Sequence, residues 1–175
     1  MSDPAALLRF ILASPGMFVL LRPNADFTIV AASEEYKIAT HTDASIIGRA
    51  LFDVFPDNPA LEDTAGSRSM RASMERVRAT GQPDGMALVR YDVRRPVAEG
   101  GGFEERYWSP FNVPVLDADG HVEYILHRVE DATAKANFKA VEILESITEG
   151  FFTLDRQWRF DYVNAEAHRI LGVER

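Results

Sequence analysis

The stretch Gly16-Met17-Phe18-Val19-Leu20 near the start of this chain returns near its end as Gly150-Phe151-Phe152-Thr153-Leu154. Further on, Ala32-Ser33-Glu34-Glu35-Tyr36 returns as Asn164-Ala165-Glu166-Ala167-His168. The offset falls from 134 (Gly16 to Gly150) to 132 (Ala32 to Asn164), as expected if the first of two equivalent turns is longer by two residues. Such a repeat means that one structural unit is being started again. The second start has residues 150–175 to work with, too few strands to close a core, so it is expected to be frayed, docked on the first unit or exchanged with a neighbour. The chain therefore divides into an N-terminal amphipathic helix (1–14), a complete domain (15–133), a connector helix (134–149) and a truncated second unit (150–175).

Local chemistry fills in the complete domain. Leu7, Leu8, Ile11 and Leu12 stand at helical spacing and stop at Ser14-Pro15-Gly16. Two β-prone runs, 17–21 and 27–31, flank Arg-Pro-Asn-Ala-Asp and predict a hairpin. Ser33 can cap a following helix, Glu34 and Glu35 complement its positive end, and Tyr36, Ile38 and Ala39 are its apolar positions. Gly48, Pro56 and Pro59 keep 46–59 in short pieces, whereas 64–79 runs unbroken with Met70, Met74 and Val77 on one face. Three strands are expected at 85–94, 104–116 and 121–130, the second weakened by Pro110 and Pro114, which withdraw ladder donors. Periodicity is helical again from 132 to 147. The elements are those of an α+β chain, with a hairpin, short helices, one longer helix and three further strands.

Composition narrows the function. No apolar run reaches the length of a membrane span, and Met-Ser-Asp-Pro lacks the basic region of a signal peptide, so a cytoplasmic location without membrane contact is expected. A net charge of −8 argues against nucleic acid, and the arginines Arg68, Arg71, Arg76 and Arg78 read as a solvated helix face. The chain has no cysteine, which removes disulfides, thiolate nucleophiles and cysteine-held metal centres.

The order of elements resembles the PAS domain of bacterial sensor histidine kinases, over residues 10–133 and again from 144 to 175. Tyr162-Val163-Asn164-Ala165-Glu166-Ala167 is similar to that family's strand-to-helix junction and Arg169-Ile170-Leu171-Gly172 to the end of its first helix. Ile47-Gly48-Arg49 with Leu51-Phe52-Asp53-Val54-Phe55 is like its hydrophobic-Gly-Arg segment. Tyr107-Trp108-Ser109-Pro110, Asp119-Gly120 and Ile125 through Thr133 resemble the final strands and the Asp-x-Thr exit motif. Ala32 stands where the second unit has Asn164, so the junction bond must come from elsewhere, with Ser33 or Glu35 as candidates. The resemblance implies an α+β fold, a five-stranded antiparallel sheet with short helices on one face, and a pocket between sheet and helices, with Phe18, Leu20, Ile38, Phe55, Met70, Met74, Met86, Leu88, Trp108 and Leu126 as candidate lining and Tyr91, Arg90 or Trp108 as hydrogen-bonding partners. It also implies that Asp131 and Thr133 tie the connector helix to the sheet and transmit the signal.

The cofactor is unknown. Flavin-cysteinyl and cysteine-linked chromophore chemistry are excluded by the lack of cysteine, and 64–79 has no histidine to ligate haem. His127 reads as sheet or surface polarity, His41 as a loop residue with a pocket-facing alternative, and neither His121 nor His168 has metal-ligand spacing. Gly100-Gly101-Gly102 precedes a strand rather than a helix and so makes no phosphate cradle. Glu34-Glu35 and Glu104-Glu105 are neighbours that diverge, and no catalytic residue is assigned. Two functions fit: a sensory module that dimerises through the N-terminal and connector helices (Phe138, Val141, Leu144) and couples a small molecule or partner to a downstream domain, or a dimerisation module with a filled core and no ligand.

Overall fold

In the computed structural model, residues 15–61 and 65–172 are described. The N-terminal helix expected over 1–14, with Leu7, Leu8 and Ile11, lies outside them. The chain divides between Ala132 and Thr133 into two compact units.

The first unit contains β1 (Met17–Leu21), β2 (Ile29–Ala32), α1 (Glu34–Ala39), a 3-10 turn (Ala44–Ile46), α2 (Leu51–Val54) and α3 (Ala65–Thr80). The short strands β3 (Asp84–Gly85), β4 (Val89–Arg90), β5 (Val93–Arg94) and β6 (Phe103–Glu104) follow, then the long pair β7 (Tyr107–Leu116) and β8 (Val122–Asp131). The antiparallel sheet runs β2-β1-β8-β7-β3, with β4 also on β7. The helices cover one face, where Tyr36 of α1, Leu51 of α2 and Met70, Met74 and Val77 of α3 meet Val19, Leu21, Ile125 and Val129 of the sheet.

The strand expected at 85–94 is instead three fragments. Asp84 faces Asn112 and Gly85 faces Phe111, but Val89 faces Trp108, so the register slips by one residue between β3 and β4. The cause lies opposite, at Pro110: Met86 N–H donates to its carbonyl at 3.0 Å, and Pro110 has no N–H with which to return the bond. On the other side of β7 the pairing with β8 is continuous from Trp108 to Val115, because the proline is not asked for a donor there.

Within the second unit, α4 (Thr133–Ser146) precedes a hairpin of β9 (Phe152–Leu154) and β10 (Phe160–Val163) and then α5 (Ala165–Leu171). Asn164 caps α5. Its Oδ1 accepts from Ala167 N–H at 2.9 Å and Phe151 N–H at 2.8 Å, and its Nδ2 donates to the carbonyls of Leu144 at 3.1 Å and Glu149 at 3.0 Å.

The first unit solves the same junction with Ser33, whose Oγ accepts from Tyr36 N–H at 3.2 Å and Phe18 N–H at 3.1 Å. Ser33 N–H donates to Phe18 O, and Asn164 N–H to Phe151 O, each at 2.9 Å. Ser33 is therefore the counterpart of Asn164, and Phe18 of Phe151. The sequence match of Ala32 with Asn164 was one residue out of register, and Ser33 makes the junction bond from the equivalent position rather than as a substitute from a neighbouring one.

Candidate functional site

Between the sheet and the helices of the first unit lies a cavity of about 50 Å³, lined by Tyr36, Thr40, Leu51, Phe52, Phe55, Met70, Tyr91, Val93, Trp108, His127 and Val129. At about 30 Å³ per water the space suits one or two waters, or part of a guest that enters from its open side. No acidic side chain, lysine or arginine is among the lining residues.

Of the ten residues the sequence pointed to, Phe55, Met70 and Trp108 line this cavity. Met74 is wholly buried in the core beside it, and Met86 packs against the same core from the edge of the sheet. Phe18, Leu20 and Leu126 sit on the opposite face, in a separate cluster with Ala31 and Tyr124. Successive residues of a strand point to opposite faces, so it is Val19 and Leu21 of β1, and Ile125, His127 and Val129 of β8, that face the helices. Ile38 is 68% exposed because it stands two residues, some 200° around α1, from the buried Tyr36. Leu88 is 52% exposed at the slip between β3 and β4.

Most polar groups around the cavity already have partners. Trp108 Nε1–H donates to Tyr91 O at 2.8 Å, Tyr91 O–H to Phe55 O, and Thr40 Oγ1–H to Tyr36 O at 2.7 Å. Arg90, a candidate hydrogen-bonding partner, turns away to Asp92 at 2.9 Å and Glu105 at 2.7 Å.

The residue most underrated by the sequence is His127, only 3% exposed and directly opposite Asn112 in the sheet. Its Nδ1 lies 2.7 Å from Asn112 Oδ1. Asn112 Nδ2 donates to Ser73 Oγ at 2.7 Å, Ser73 O–H donates to Asp84 Oδ2, and Arg76 Nη2 donates to the same oxygen at 2.7 Å. The chain runs from the cavity through β8, β7 and α3 to an exposed arginine. An amide oxygen only accepts, so the proton of His127 sits on Nδ1. Burial pushes the imidazole down from 6.5 to about 4, keeping it neutral. Burial likewise raises the Tyr36 phenol, with a further contribution from Tyr91.

Other groups singled out by the sequence lie elsewhere. His41 Nε2 is 3.4 Å from Glu104 Oε2, away from the cavity lining. The adjacent carboxylates serve different cations: Glu34 pairs with Lys37 at 2.5 Å, Glu104 with Arg106 at 2.8 Å and Glu105 with Arg90. The arginines of α3 are not merely solvated, since Arg71 stacks over Phe52 at 4.2 Å and donates to Ala25 O at 3.2 Å. Asp117, Asp119 and His121 cluster in the β7–β8 turn, where Asp117 Oδ1 accepts from the backbone N–H groups of Asp119 and His121 at 2.9 Å. Asp131, at the end of β8, accepts from Arg106 Nη1 at 2.5 Å, and Ala132 N–H closes the ladder on Tyr107 O at 2.8 Å. Among the described residues no helix is long and apolar enough to cross a membrane.

Solved structures share this architecture. An RNA-binding light-oxygen-voltage receptor superposes with a TM-score of 0.55 and 17% identity over 81% of this chain, which spans 37% of that one. A LOV protein of Rhodobacter sphaeroides gives 0.53 and 13%, over 81% of this chain and 76% of the other. A light-oxygen-voltage domain whose mechanism was addressed with a flavin analogue gives 0.52 and 21%, over 79% and 96%. At such identities the likeness is one of fold. No curated protein sequence matches the chain significantly. Residues 13–137, most of the chain, match the family described as PAS fold, and the chain belongs to that family.

Proposed function

We propose that this chain is a sensory module of a bacterial signal-transduction protein, a sensor histidine kinase being the best fit. It detects a small molecule in the cavity of its first unit and signals through α4. Family membership supports a sensory role, and one observation carries the ligand reading: an uncharged cavity, bounded by Phe55, Met70, Trp108 and His127, lies between the sheet and the helices. The module works in the cytoplasm, has no catalytic residues of its own, and touches neither membrane nor nucleic acid. It pairs with a second copy through the N-terminal and connector helices; Phe138 and Val141 of α4 are 71% and 44% exposed, as a dimer contact requires. Asp131 and Thr133, at the junction of β8 and α4, pass changes in the sheet to the helix.

The competing reading, a dimerisation module without ligand, draws on the small volume of the cavity. Native mass spectrometry of the purified chain separates the two. A retained small molecule that is lost in Met70→Trp, whose indole would fill the cavity, supports the sensor. A clean dimer, indifferent to that substitution and to added small molecules, supports the dimerisation module and removes the ligand reading. The substitution is placed at Met70 because Met70 lies on the cavity wall, whereas Met74 does not.

A further inference from the structure

Two polar atoms at the cavity remain unused. Tyr36 and His127 both line it, are 5% and 3% exposed, and meet edge to face with ring centroids 6.5 Å apart. Neither the Tyr36 hydroxyl nor His127 Nε2 makes a hydrogen bond to any described residue, while Tyr91, Trp108 and Thr40 have spent theirs on backbone carbonyls. Among the described residues Arg106 Nε is the fully buried side-chain nitrogen or oxygen without a partner, so these two idle atoms keep some accessible surface, and a guest in the cavity they line can pair with them.

The relay decides what that partner must offer. Because Asn112 Oδ1 accepts at Nδ1, the neutral ring presents a lone pair at Nε2 and needs a donor there. The Tyr36 phenol can donate or accept. A single hydroxyl satisfies both atoms at once, donating to His127 Nε2 and accepting from Tyr36 O–H. The remaining walls, such as Leu51, Phe55, Met70 and Val129, want an apolar body, and the absence of acidic, lysine and arginine side chains from the lining leaves a net charge uncompensated.

Resting on the sensor reading above, we infer that the cavity recognises a compact uncharged alcohol or phenol, its hydroxyl held between His127 Nε2 and Tyr36 O–H. The chain Asn112–Ser73–Asp84 acts on this recognition only through the tautomer it imposes on His127; these are positioning residues.

The test compares phenol with toluene, which have nearly the same shape and differ in a hydroxyl for a methyl, by NMR titration of the full chain at pH 7. Phenol is expected to bind at least tenfold more tightly than toluene and to move the Nε2 nitrogen resonance of His127, which toluene leaves in place. In Tyr36→Phe the preference should fall at least threefold while toluene binds as before. Equal affinities, a still His127 resonance, or a preference unchanged in Tyr36→Phe would overturn hydroxyl recognition and leave a ligand-binding cavity standing. Failure of both probes to bind at millimolar concentration would overturn the inference together with the cavity reading beneath it.

Discussion

Burial of His127 makes a quantitative demand on stability. Desolvation pushes its imidazole down from 6.5 to about 4 in the folded chain. Above pH 6.5 both folded and unfolded chains hold it neutral and it contributes no pH dependence. Below that, the unfolded chain takes up the proton and the folded chain does not, so stability falls with falling pH until the folded ring also titrates near 4. At about 1.4 kcal/mol per unit, the loss is roughly 2 kcal/mol at pH 5 relative to pH 7.5, and approaches ~3 kcal/mol below pH 4. Carboxylates add their own acid-side dependence, so the measurement is a difference between wild type and His127→Gln, unfolded in urea from pH 7.5 to 5. The Gln variant starts lower, having disturbed the contact with Asn112, but the gap should shrink by about 2 kcal/mol at pH 5, about 1 M in urea midpoint for an ordinary slope. A gap that stays constant, or a His127 resonance that titrates near 6.5, would refute the buried neutral ring and the relay that orients it.

The other expectations concern backbone packing and the repeated junction. Gly66 stands in the first turn of α3, where alanine ordinarily gains about 1 kcal/mol, yet a Cβ there would come within 2.6 Å of Arg90 O. Gly66→Ala should therefore destabilise the first unit by ~1–3 kcal/mol, and a rise in melting temperature would contradict this packing. Asn164→Ala removes four hydrogen bonds around a wholly buried side chain, a loss of ~3 kcal/mol or more that a small unit cannot absorb. Hydrogen exchange at the amides of Phe151 and Ala167 should accelerate at least a hundredfold, with the first unit unaffected; unchanged protection would show that the cap does not hold the hairpin and α5.

Much of this architecture follows from local rules. Ser33 and its two glutamates start α1, the Met70, Met74 and Val77 stripe buries one side of α3, and Asp117 to Gly120 turn β7 into β8. Each depends on chemistry within a few residues, which is why the order of elements and the family could be read directly from the chain. The repeat was also visible, with its register one residue out, because the two junctions share hydrogen-bonding geometry rather than residue type: serine in one, asparagine in the other.

The phase of the sheet was a different matter. Met17-Phe18-Val19-Leu20-Leu21 is apolar at every position and buries residues on both faces, so it holds no alternation from which to tell cavity side from far side. Phe18 and Leu20 are as eligible for the cavity side as their neighbours on local sequence, and the register against β8 turns Val19 and Leu21 inward instead. His127 likewise gives no local sign of burial. It becomes a buried, neutral, singly oriented base only because strand pairing sets it against Asn112 and α3 brings Ser73 to the far side of that amide. Sequence by itself determined most of the elements, since those are short-range matters of capping, periodicity and turn chemistry, whereas the break of 85–94 into fragments comes from Pro110 on the strand opposite. Tertiary structure decided which side chains share the cavity and which proton His127 carries, since these depend on partners 15 and 39 residues apart along the chain.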